Sequence, residues 1–159
     1  MELRSTTGDA VRLSPTSYQF PAGDNDWDLN WLVMEGRVVS GQKEWIFRDP
    51  CLTTWEARGL GEWLGGVANG TTFVVAQPPG LEDEPALTFT EPNLGFSLRD
   101  RDQQRALLWV HLSLESLPPE AQATDEYQHV VEFDMPTSDI ASAAGQWQEE
   151  LTAFPERRP

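Results

Sequence analysis

The chain has 159 residues and a mass of 17.9 kDa, the size of one domain whose core can hold without staples. Its 39% hydrophobic content, with seven Trp and seven Phe, excludes a disordered chain, and a single cysteine, Cys51, excludes a disulfide framework or a cysteine-based zinc site. A net charge of −15 disfavours binding to nucleic acid or to anionic membranes and favours a basic partner.

Residues 2–6 and 10–13 flank Thr7, Gly8 and Asp9, a hairpin-like turn, and Tyr18 and Phe20 alternate in a short strand before Pro21. Trp27, Leu29, Trp31 and Val33 then alternate with Asp26, Asp28, Asn30 and Leu32, the period of two that marks a half-buried strand. A turn at Ser40 and Gly41 leads to Trp45 and Phe47 in the same pattern, so residues 27–48 are predicted as a β-hairpin, which Asp49 and Pro50 break. Thr53 followed by Glu56 is a capping box. Leu52, Trp55, Leu60, Leu64 and Val67 share a helical face, and Asn69 with Gly70 supplies a stop, so a helix is predicted over about residues 53–68. Its glycines at 59, 61, 65 and 66 weaken it locally and would allow close packing on a sheet.

Strands are predicted at Thr72–Ala76, Ala86–Glu91, Leu94–Arg99, Arg105–Glu115 and Tyr127–Met135, the first two separated by the polar loop QPPGLEDEP and the second pair by a tight turn at Pro92 and Asn93. In the fourth, Leu108, Val110, Leu112 and Leu114 take one face while Leu107 and Trp109 take the other, which marks a central strand. Thr137 or Ser138 caps a last helix whose stripe is Ile140, Ala144, Trp147, Leu151 and Phe154. The predicted fold is a single α+β domain over 1–159: a largely antiparallel sheet system, divisible into two packed sheets, with two amphipathic helices. No run approaches the roughly 20 apolar residues of a membrane span, and the N-terminus has no apolar signal-peptide core.

The stretch DNDWDLNWLVMEG places Asp24, Asp26, Asp28, Asn30 and Glu35 at the ligand positions of a helix-loop-helix calcium site. The sixth position, which needs glycine for the sharp turn, is Leu29, and the residues alternate like a strand. Spacing by two is what the solvent face of any strand offers. Cys51 with His111 or His129 is formally a nucleophile–base pair, but Cys51 stands beside a helix start, where a small buried residue is expected, and both histidines sit in predicted strands. No G-x-S-x-G elbow is present, GLGEWLGG lacks the context of a phosphate loop, and nothing singles out two of the 26 acids as a glycosidase pair. The seven tryptophans follow the core periodicity of their elements better than they form a sugar platform. No catalytic, cofactor or metal residue is therefore predicted.

Three segments in order, YQFP with DWDLNWL, DPCLTTWEARGLGEWL and FTEPNLGF, together with VHLSLES and the terminal FPERR, resemble the WapI-like family of bacterial immunity proteins. The resemblance implies a small cytoplasmic, non-enzymatic protein, made beside a polymorphic toxin, that binds the toxin's C-terminal domain and blocks it stoichiometrically. In the founding system that domain is an RNase acting on tRNA, although toxin domains vary widely across the family. The charge pattern agrees with a basic partner: residues 106–156 hold ten acids and no Lys or Arg. The predicted partner-binding residues are Glu82, Asp83 and Glu84 in one acidic loop, Glu120, Asp125 and Glu126 in another, and Glu132 and Asp134 on one strand face. The plainer reading of these acids is a solvated surface that keeps the chain soluble. The alternatives left open are a ligand- or metal-binding module built on the Trp- and Asp-rich stretch and a carboxylate hydrolase.

Overall fold

The computed structural model describes residues 1–122 and 127–158. The chain runs β1 (Glu2–Arg4), β2 (Ala10–Tyr18), α1 (Asp26–Asn30), β3 (Trp31–Ser40), β4 (Lys43–Thr53), α2 (Thr54–Asn69), β5 (Leu87–Thr88), β6 (Leu94–Arg101), β7 (Arg105–Leu112), one 3₁₀ turn (Leu114–Ser116), α3 (Pro119–Gln122), β8 (His129–Pro136) and α4 (Thr137–Leu151). Among the described residues there are two four-stranded antiparallel sheets, each a meander of sequential neighbours: β1-β2-β3-β4 and β5-β6-β7-β8. This is the expected α+β class.

The alternating residues of the first sheet bury Leu3, Val11, Leu13, Leu32, Met34, Val38, Trp45 and Phe47, and those of the second bury Leu94, Phe96, Leu98, Leu108, Val110, Leu112, Val131 and Phe133. These side chains form one core with Ala57, Leu60, Leu64 and Val67 of α2 and Ile140, Ala144 and Trp147 of α4. Leu151 and Phe154 complete the α4 stripe, half-buried against it. The two long helices lie along each other, and α4 also meets β1, β2 and β8. Of the α2 glycines, Gly61 serves this helix pair rather than a sheet, since a Cβ there would come within 3.0 Å of the Trp147 ring; Gly66 faces Thr71 and Thr72, and a Cβ on Gly59 or Gly65 would meet nothing within 4 Å. The Trp147 indole N–H, 2.6 Å from the Ala57 carbonyl, closes the contact.

The α2 boundaries follow the sequence closely. Thr53 and Glu56 form the reciprocal capping box, and Gly70 ends the helix in the left-handed region at φ 84°. Elsewhere the structure departs from expectation. Residues 26–30 are a helix, not the start of a strand. Asn25 caps it, its side-chain oxygen accepting from the Asp28 amide at 2.9 Å, and the acids Asp26 and Asp28 sit in its first turn. Trp27 and Trp31, four apart, approach each other on that turn, and Trp27 packs edge-on against Trp55. Pro50 does not break β4, which runs to Thr53. That strand is the edge of its sheet, where a missing N–H costs no ladder bond, and the partner strand shifts register between Leu32 and Val33 opposite it. The predicted 86–91 strand shrinks to Leu87–Thr88, and Thr72–Ala76 joins no sheet. The β7 strand stops at Leu112, and Leu114, expected on its inner face, turns outward at φ 53° and is exposed. Neither Thr137 nor Ser138 caps α4. The helix follows directly on β8 with Pro136 at its cap position, and the Thr137 amide donates to the Gln104 carbonyl at 2.8 Å.

The segment after α4 folds back on the first sheet. Buried Asn30 donates to the carbonyls of Asp26 and Arg157, both at 2.7 Å, and accepts from the Arg157 amide at 2.8 Å and the Thr54 hydroxyl at 3.0 Å. Tyr18 donates to the Pro155 carbonyl, and the Arg157 guanidinium lies 4.3 Å from the Tyr18 ring centre. The terminal FPERR is thus a strap across β2 and α1.

Candidate partner-binding surface

The strand period that buries one face of the second sheet turns Arg99, Leu107, Trp109, Glu132 and Asp134 to the other. Trp109 stands opposite Glu132 in the ladder and donates its indole N–H to that carboxylate at 2.9 Å. The Arg99 guanidinium lies 4.0 Å from the Trp109 ring centre and donates to the Glu82 carbonyl at 2.7 Å. Two positions beyond Glu132, Asp134 accepts from Arg105 at 2.8 Å.

The 77–86 loop lies against this face. Pro85 sits where a Gly95 side chain would be, 2.6 Å from a built Cβ. The Ala86 amide donates to Ser97 Oγ at 3.0 Å, which in turn is 2.9 Å from His111 Nε2. Gln128 Nε2 donates to the Asp83 carbonyl at 3.0 Å. The backbone is therefore anchored while the side chains of Glu82, Asp83 and Glu84 remain exposed. The Gly80 amide, 2.8 Å from the Glu82 carboxylate, holds that acid below its ordinary range. Burial pushes His111 down to about 4, with the charge of Arg99 adding, against the opposing influence of Gln128 and Asp83. Its Nδ1 has no hydrogen-bond partner among the described residues.

Of the acids predicted from the sequence, Glu82 and Asp83 are brought to the face that carries Glu132 and Asp134, with Glu84 exposed beside them in the same loop. Glu120 is exposed on α3, and no hydrogen bond or ion pair among the described residues ties it to this face. Asp125 and Glu126 lie outside the described residues. Arg99 was missed by sequence reasoning. The alternation in β7 shows Trp109 facing outward, but no local signal says that an arginine from β6 would bridge it to the loop.

A second acidic grouping was also missed. Asp28, Asp49, Glu91 and Glu115, with Phe20, Trp31 and Leu114, line a cleft of about 470 Å³ between the two sheets' connections. Buried Asn93 donates to Glu115 at 2.9 Å. Burial, and then the charges of Glu115 and Glu91, raise Asp49 above its usual range.

The remaining chemical candidates are occupied elsewhere. Cys51 is buried, and burial holds its thiol far above the ordinary value, so it has little thiolate character. His129 Nε2 is 3.1 Å from Ser40 Oγ and its ring packs edge-on against Trp45. In the calcium-like stretch Asn30 spends its side-chain oxygen on Thr54 and Arg157, while Glu35 lies in β3. Among the described residues, no group of three or more His, Cys, Asp or Glu is placed to hold a metal ion, and no helix is long and apolar enough to cross a membrane.

The family model described as the immunity protein WapI-like family matches residues 2–155. The chain belongs to this family. The WapI-like match runs from β1 into the strap beyond α4, so it takes in both sheets, the helix pair and the acidic face together. WapI-like membership points to a toxin-neutralising role, and immunity proteins in general are not enzymes. No curated protein and no solved structure matches the chain.

Proposed function

We propose that this chain is a cytoplasmic, non-catalytic inhibitor that binds the C-terminal domain of a cognate polymorphic toxin and occludes it. The match to the WapI-like immunity family over nearly the whole chain carries the reading. Glu82, Asp83, Glu84, Glu132 and Asp134 form the contact face, and Glu120, Asp125 and Glu126 add to its negative field. With a net charge of −15 the inhibitor attracts a basic partner, speeds their encounter and repels nucleic acid and anionic membranes. A nuclease is the toxin class whose charge suits this face best, because its substrate groove must bind phosphates.

The test is a binding and neutralisation assay with the toxin tail encoded immediately upstream, using the tagged chain at low and high salt. Stoichiometric capture of a basic domain together with loss of its toxicity is the expected result. A folded, expressed tail that is neither captured nor neutralised would overturn the reading for that pair.

A further inference from the structure

Residues 72–76, TFVVA, have the composition of a strand, yet the fold provides them with no ladder. Among the described residues, no hydrogen bond engages the backbone of residues 73–77. Their side chains are equally unsheltered: Phe73 is 76% exposed, Val75 58% and Val74 48%, with Leu81 exposed nearby in the following loop. Four large apolar side chains so close together on a chain this polar are unusual for a surface with no partner.

The segment is held at both ends. The Thr71 and Thr72 amides donate to the Gly66 carbonyl at 2.9 and 3.1 Å, and Thr72 Oγ1 reaches the Trp63 carbonyl. Beyond it, the loop turns with the Leu81 amide on the Pro78 carbonyl at 3.0 Å, and Arg99 of β6 holds the Glu82 carbonyl at 2.7 Å. Between these anchors the chain passes the open edge of the second sheet. β5 covers β6 only at Phe96 and Gly95. Past that point Val74–Gln77 form one wall of a cleft of about 130 Å³, with Leu98, Arg99 and Glu82 on the other. A segment tethered on both sides and unpaired in its middle is prepared for strand addition, since part of the ordering cost is already met.

Charge decides the occupant. A second copy of this chain would bring its own Glu82, Asp83 and Glu84 and its own −15 against the same surface, which opposes self-pairing. Resting on the reading above, we propose that the cognate toxin domain completes this strand. It lays an extended segment along residues 73–77, with apolar side chains over Phe73 and Val75 and basic ones toward Glu82, Asp83 and Glu84.

Amide hydrogen exchange on the full chain, alone and with the upstream-encoded toxin tail, tests this directly. The amides of residues 74–77 should exchange freely alone and at least tenfold more slowly in the complex. In an extended chain adjacent N–H groups point to opposite edges. One of Val74→Pro and Val75→Pro should therefore weaken tail binding tenfold or more, with little change in Tm because neither loses an internal hydrogen bond. If the wild-type chain captures the tail while these amides exchange unchanged, strand addition is wrong and the immunity reading stands. Slowed exchange in the chain alone, matched by a dimer in solution, would also overturn it by naming a second copy as the occupant. If the wild-type chain fails to bind the tail, the immunity reading falls and this inference goes with it. Should a proline variant misfold, the exchange data on the wild-type complex decide.

Discussion

Gly36 faces Phe47 across the β3–β4 ladder, and the phenyl ring fills the place of a side chain. A Cβ there would lie 2.1 Å from the ring. Gly36→Ala is predicted to destabilise the fold by about 1–3 kcal/mol through overpacking, read by urea denaturation. An unchanged midpoint would mean that the ring swings aside without cost. His111 makes a different prediction. Its folded value of about 4 lies below the ordinary 6.5, so between those limits the unfolded chain binds the extra proton. Its contribution is complete above about pH 6.5 and lost as pH falls toward 4. Asp49, shifted upward, tilts the other way, because the fold favours its protonated form. His111→Gln should flatten the stability profile between pH 6.5 and 4.5. A slope as steep as wild type would assign the loss to other groups.

Thr53 and Glu56 illustrate what can be read locally. Their spacing announces the start of α2, and the cap forms as expected, with the second Glu56 oxygen accepting from the Thr90 amide at 2.7 Å. Thr53→Ala should cost about 1 kcal/mol in chemical denaturation, and up to about 2. The α4 stripe was equally legible, because a helical period over fifteen residues has few alternatives. Short segments were not. Trp27, Leu29 and Trp31 alternate like a strand, but Trp27 and Trp31 also stand one helical turn apart, and the Asn25 cap decided between the two. Pro50 is a strand breaker only where its N–H is needed, and edge position is a property of the sheet, not of the local sequence. The strap is likewise invisible in the letters FPERR, because its partners Asn30 and Tyr18 are far away in the chain. Truncation after Phe154 leaves the buried Asn30 side chain short of its Arg157 partners, and a loss of roughly 1–3 kcal/mol is predicted from thermal and urea unfolding. A truncated chain as stable as the full one would show that solvent replaces the strap.

Over the molecule, the sign of the surface was plain from composition, whereas the grouping of its acids was not. The Glu82–Glu84 loop and the Glu132–Asp134 strand meet only because β6, β7 and β8 lie side by side and Arg99 spans them. Charge reversal at Glu132 and Asp134 should lower the toxin association rate about tenfold or more at low ionic strength, with a smaller difference at 0.5 M NaCl. Reversal at Asp125 and Glu126 tests the sequence-based assignment in the same assay. Stopped-flow rates that do not respond to either pair would move the interface off the acidic surface.

The strap also places the finished fold in time. Asn30 and Arg157 are 127 positions apart. At synthesis rates of about 5–20 residues per second, the polar partners of Asn30 leave the ribosome roughly 6–25 s after it does. A nascent chain can form the local meander of its first sheet early, but the strap can lie across β2 and α1 only after Arg157 has emerged. Until then the Asn30 side chain has, among the described residues, only Asp26 and Thr54 as partners, so laying down the strap is a late step in assembly.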